Sequence, residues 1–184
     1  MSDPGLRGAI VWAIVPYVPE APFRVWLGDA QPVATISSAA DYARQALEQR
    51  LDAEQTFLVE GKLRPVLLLQ DRPLGLLPEI AGLRMVRLEA LSDEQQRSIR
   101  EHQEPSLFHL AAGRKYGLGK EMAVDLNALV RVHQTAIAGR PVGRLDDYEM
   151  RSVGERLAEH LDIDLEPLVT ALVEERLEEL TRPG

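Results

Sequence analysis

The stretch Gly8-Ala-Ile-Val-Trp-Ala-Ile-Val15 is short, apolar and rich in β-branched side chains, and Pro16 stops it. It predicts a buried first strand, and every later element must be arranged around it. A second run of this kind, Arg64-Pro-Val-Leu-Leu-Leu-Gln70, predicts a central strand entered through proline. Between them, Pro16, Pro19 and Pro22 break regular structure. Phe23-Arg-Val-Trp-Leu27 then alternates, with Phe23, Val25 and Leu27 on one face.

Further strands are expected over Arg84 to Leu91, Ser106 to Ala112, Glu121 to Leu126 and Leu129 to His133, with Gly139 and Pro141 closing the β-rich part. Four helices are expected. Ser37 or Ser38 caps one that runs to about Leu51. Ser92-Asp-Glu-Gln95 has the form of a capping box and starts a polar helix ending near His102 to Pro105. Asp146 with Glu149 at N3 starts a helix to about His160, and an acidic amphipathic helix begins near Asp164 with Pro167 in its first turn. The fold class is mainly β with helices (α+β), as a small barrel or curled sheet. We expect one body over 1–161, with an insertion at about 28–58, and a C-terminal helix over 162–184.

With 184 residues the chain can build a self-sufficient core. It has no cysteine, which excludes a disulfide framework, thiolate zinc sites and a cysteine nucleophile. No apolar run reaches the 18 or so residues of a membrane span, and Met1 to Leu6 lacks the pattern of a signal peptide, so a cytoplasmic protein is expected. The net charge of −8 is unevenly placed. Of the 29 acidic and 21 basic residues, 12 and 4 lie between Leu145 and Gly184, leaving 17 of each before them. The body is therefore neutral and has room for a basic groove; the tail has none.

Common catalytic signatures are missing. Gly113 to Gly119 has five residues between its glycines and Lys120 is followed by Glu121, so it is not a phosphate-binding Walker loop. It remains a basic hairpin with Arg114, Lys115 and Lys120, beside Tyr116 as a stacking surface. His102, His109, His133 and His160 show no metal-ligand spacing. There is no nucleophile elbow or dinucleotide fingerprint. Arg64 stands out, because an arginine held by a following proline at the mouth of a rigid strand is suited to face a phosphate. It is equally suited to a strand-end salt bridge.

Gly8-Ala-Ile-Val-Trp12, followed by Lys62-Leu-Arg-Pro-Val-Leu-Leu-Leu69, resembles the opening of the PemK/MazF toxin family. Ala123 to His133, then Gly143-Arg-Leu-Asp146 and a helix, is similar to that family's closing strands and final helix. The resemblance spans roughly Gly8 to Leu161 and rests on the order of several motifs. It implies a small SH3-like barrel that dimerises, cleaves single-stranded RNA without metal or cofactor, and is inhibited by a protein antitoxin. It also implies Arg64 as the catalytic arginine, with Glu60 and Lys62 in the neighbouring loop. The family carries a threonine or serine at the end of its third strand; here the segment is Leu88-Glu-Ala-Leu-Ser92, so Ser92 is the one nearby hydroxyl. RNA contacts are expected from Trp12, Glu60, Lys62, Arg64, Arg114 and Lys115, with Tyr17 and Trp26 as further stacking aromatics. The alternative is a catalytically inactive module acting through protein partners in a toxin–antitoxin, defence or regulatory system.

Overall fold

The structure, a computed structural model, describes residues 5–17, 22–26, 33–38, 40, 56–72, 78–164, 167 and 170. The helix expected to run from Ser37 or Ser38 to Leu51, and the helix expected from Asp164 onward, lie outside these residues apart from isolated positions. The chain divides into two compact units, Met1–Ala13 with Arg64–Gly184, and Ile14–Leu63. The fold is mainly β with helices.

In the second unit, strand β2 (Phe23–Trp26) lies between β3 (Ala34–Ile36) and β4 (Thr56–Leu58) in an antiparallel sheet. Val25 pairs with Ala34 on one side and Phe57 on the other, and is fully buried. The insertion expected at about 28–58 falls within this unit.

The first unit is built on a six-stranded sheet in the order β7-β8-β6-β5-β1-β9. Its strands are β1 (Ala9–Pro16), β5 (Gly61–Leu68), β6 (Glu79–Arg87), β7 (Leu107–Leu110), β8 (Met122–His133) and β9 (Ile137–Arg144). Thus β1 sits between β5 and β9. Its link to β9 is reinforced by the Arg144 guanidinium, which donates to the carbonyl oxygens of Gly5 and, at 2.6 Å, Arg7. The sheet is closed at one end by a loop rather than by paired edge strands. The loop after β7 reaches β9, where the Arg144 N–H donates to the Lys115 carbonyl. Two glycines permit this approach. A Cβ on Gly143 would stand 2.0 Å from the Tyr116 carbonyl carbon, and one on Gly117, whose φ is +63°, would stand 1.8 Å from the Val142 oxygen.

Helix α1 (Asp93–Arg100) follows a 3-10 turn over Leu88–Ala90, and helix α2 (Asp147–His160) follows β9. Both expected capping boxes are formed, by Ser92 with Gln95 and by Asp146 with Glu149. Both helices also end alike. His102 (φ +58°) and Asp162 (φ +54°) take the left-handed position, and the next N–H reaches back to Ser98 O and Ala158 O respectively. Helix α2 packs Met150, Val153 and Leu157, spaced to share one face, against Leu67, Leu83, Val124 and Leu126. On the opposite face Ile99 of α1 packs with Leu88 and Ala123.

Three expectations need correction. Leu129 to His133 is not a separate strand: β8 is continuous from Met122 to His133. Its apparent break is a bulge, since Leu83 pairs with Leu129 but Met85 with Val124, leaving extra β8 residues that interrupt the alternation. Gly139 and Pro141 do not end the β structure; they lie within β9, at the sheet edge and inside a jump in its pairing with β1. An edge strand tolerates proline there. Strand β5 begins at Gly61, so Pro65 is internal to it and buried.

Candidate functional site

Along β5 the residues pass from exposed at Gly61, Lys62 and Leu63 to fully buried at Val66, Leu67 and Leu68. Arg64 stands at that transition and is half-buried. Strand alternation sets Arg64 and Val66 on one face, while Leu67 joins the α2-side core with its partner Leu83 on the other. Val66 pairs with Arg84, so Arg84 shares the Arg64 face as its diagonal neighbour on β6. Arg84 Nη2 donates to Asp125 Oδ2 at 3.1 Å. Its Nε is buried with no hydrogen-bond partner among the described residues. Such a donor costs roughly 1–3 kcal/mol unless a ligand satisfies it.

The other expected site residues are dispersed. Trp12 is half-buried and opposite Ala138 of β9. Alternation puts it on the side of Ile10, which belongs to the α2-side core and so faces away from Arg64. Glu60 and Lys62 are exposed and belong to the second unit. The side chain of Trp26 lies outside the described residues. Ser92 is committed to its cap: its Oγ accepts the Gln95 N–H at 3.3 Å and lies 3.1 Å from Gln95 Oε1.

Arg114 is exposed on the loop after β7, but Lys115 beside it is bound. Lys115 Nζ reaches Asp146 Oδ2 at 2.8 Å and Glu149 Oε1 at 2.6 Å, and the Tyr116 hydroxyl donates to the same Glu149 oxygen at 2.5 Å. Hydrogen bonds to Asp146 and Glu149 raise the Lys115 pKa, and the Lys115 contact holds Asp146 below its ordinary value. Burial pushes Glu149 upward, but Lys115 and Tyr116 together outweigh it and leave the carboxyl lowered. Burial first, then the bond to Glu149, raises Tyr116. The cluster ties the loop to the first turn of α2 and neutralises the lysine expected to meet phosphate.

Its stability contribution has a definite pH window. Lowered carboxyls stabilise the folded state fully above the ordinary carboxylate range and lose that contribution as pH falls below about 4. Lys115→Met therefore lowers the melting temperature at pH 7, and the gap from wild type narrows at pH 3. Equal gaps at both pH values in thermal melts would refute this.

Sequence reasoning missed a second cluster. His102 and His109, seven positions apart, come within 6.5 Å between ring centroids. His109 Nε2 lies 3.2 Å from Glu121 Oε1, and Arg100 grips Glu121 Oε2 through Nη2 at 2.6 Å and Nε at 3.1 Å. The Arg100 hydrogen bond lowers the Glu121 pKa. Spacing along the chain held no signal for this, because the turn after α1 and the β7–β8 pairing create it. Among the described residues no group of three or more histidine or acidic side chains is placed to hold a metal ion. None of their helices is long and apolar enough to cross a membrane. No family model matches the chain, and no curated protein matches it either.

Proposed function

We propose that the chain acts on single-stranded RNA as a metal-independent endoribonuclease of the PemK/MazF type, working in the cytoplasm as a homodimer under control of a protein antitoxin. The observation that carries the reading is the half-buried Arg64 side chain on β5, on the same face of the sheet as Arg84 of β6. Two guanidinium groups on adjacent strands offer fixed, permanently charged donors to a phosphodiester. In the reaction the 2′-hydroxyl attacks the neighbouring phosphorus and loses its proton. The bond to the 5′-oxygen breaks, and that oxygen takes up a proton. The products are a 2′,3′-cyclic phosphate and a free 5′-hydroxyl. Arg64 stabilises the charge that accumulates on the phosphoryl oxygens.

A second reading, a noncatalytic module that binds RNA or a protein partner, is favoured by two observations. The Ser92 hydroxyl is engaged in its capping box, and Lys115 is bound by two carboxylates.

Incubating the purified protein with a long single-stranded RNA in the presence of a chelator tests both. Under the first reading the RNA is cut, and Arg64→Ala slows cutting by about 10²–10³-fold. Intact RNA that is nevertheless retained, with salt-sensitive affinity lost in Arg64→Ala, selects the second. Neither cleavage nor retention by the wild-type protein overturns the first reading and leaves of the second only the module that binds a protein partner.

A further inference from the structure

We infer that Asp125 is a positioning residue for the candidate site: its carboxylate sets the Arg84 guanidinium to receive a phosphate of the single-stranded RNA. The inference rests on the RNA reading and adds to it a residue that acts through another side chain.

The bulge in β8 builds the arrangement. Leu83 pairs with Leu129 and Met85 with Val124, so residues 125–128 of β8 stand against Arg84 alone. A bulge bends its strand and re-aims the side chains it carries. Asp125 opens this one, and both of its oxygens are engaged. Oδ1 accepts the Asn127 N–H at 3.1 Å, which closes a local turn and fixes the carboxylate by its own backbone. Oδ2 accepts Arg84 Nη2 at 3.1 Å. Asn127 is held from its other side, where its Oδ1 accepts His160 Nε2 at the end of α2.

Burial makes the pair directional. The Asp125 side chain is only 14 % exposed and that of Arg84 37 %, so water screens the carboxylate little and one arginine orientation is favoured. With Nη2 on Asp125 and Nε enclosed, Nη1 is the arm of the fork left without a bond among the described residues. Arg84 is the diagonal neighbour of Arg64 on one face of the sheet, and such positions lie roughly 7–8 Å apart. Side chains of this length reach one nucleotide linkage from both strands. The carboxylate also offsets the repulsion between the two like charges.

Charge and positioning predict opposite signs. Taking a carboxylate away from an anion-binding face removes a repulsion and should tighten RNA binding. Losing the aim of Arg84 should weaken it. The full chain is therefore titrated, at several salt concentrations, with single-stranded RNA carrying 2′-O-methyl groups, which cannot be cut through the 2′-oxygen. Asp125→Ala and Arg84→Ala should each weaken binding by about tenfold or more. Arg84→Ala should also flatten the slope of log affinity against log salt by about 0.7, the share of one phosphate contact to a single strand. In a chain already carrying Arg84→Ala, Asp125→Ala should cause no further loss. Circular dichroism confirms that each variant is folded. Unchanged or tighter binding by Asp125→Ala overturns the proposal. So does a loss that persists when Arg84 is already alanine, since the carboxylate would then serve the fold alone. Arg64→Ala separates this inference from the RNA reading: a loss there with none in Asp125→Ala keeps the reading and removes the role of Asp125, whereas no binding by the wild-type chain removes both.

Discussion

Replacing Gly143 by alanine is expected to lower the unfolding free energy by about 3 kcal/mol or more, with overpacking as the cause. The added methyl has no room: its carbon would lie 2.0 Å and 2.1 Å from the Tyr116 carbonyl carbon and oxygen, and 2.4 Å from Tyr116 Cα. All three are backbone atoms, so no side-chain rotation relieves the clash. Either β9 withdraws from the loop, or the loop tears Lys115 and Tyr116 from Asp146 and Glu149. Gly119→Ala is the control. A Cβ there meets nothing within 4 Å, and the change should stay within about 0.5 kcal/mol. Urea unfolding of the three proteins measures the difference; equal midpoints for Gly143→Ala and wild type would show that the loop after β7 does not pack on β9.

The second large effect comes from the core. Leu67 is fully buried on β5, and it shares its cluster with Leu83, Met150 and Val153. Leu67→Ala removes three buried carbons and leaves a cavity between strand and helix, costing about 2–5 kcal/mol. Leu129→Ala, at a side chain 57 % exposed, should cost less than about 0.5 kcal/mol. Because Leu67 points away from the Arg64 face, Leu67→Ala should keep any RNA affinity when assayed well below its lowered melting temperature. A loss of under 1 kcal/mol in urea unfolding would contradict the packing between the sheet and α2.

The parts of this fold that sequence reveals are those set by neighbours in the chain. The capping boxes of Ser92 and Asp146 need only residues three apart, and both form. Strand β1 is legible because an unbroken apolar run has no other use. The continuity of β8 and the existence of β9 were illegible for one shared reason. Bulges at residues 125–128 and 139–142 place irregular or turn-forming residues inside strands, and only the partner strand reveals that pairing resumes beyond them. The candidate site divides in the same way. Arg64 could be singled out from the proline after it, but Arg84 could not, because its position follows from the Val66 register. From sequence Lys115 belongs to a basic hairpin expected to meet RNA, and its carboxylate partners are hidden because they lie 31 and 34 residues away. The His102–His109 pair depends on a helix-ending turn and a strand pairing at once, and neither histidine announces the other.

The position of β1 between β5 and β9 has a consequence for how the chain is made. Its apolar run is synthesised well before β9, and one flank stays unpaired until Ile137–Arg144 has followed. At ordinary elongation rates that delay is on the order of ten seconds. Throughout it, the nascent polypeptide carries a sticky, half-zippered ribbon, so β1 is a segment a holding factor would shield and one prone to coalesce between neighbouring chains on a polysome.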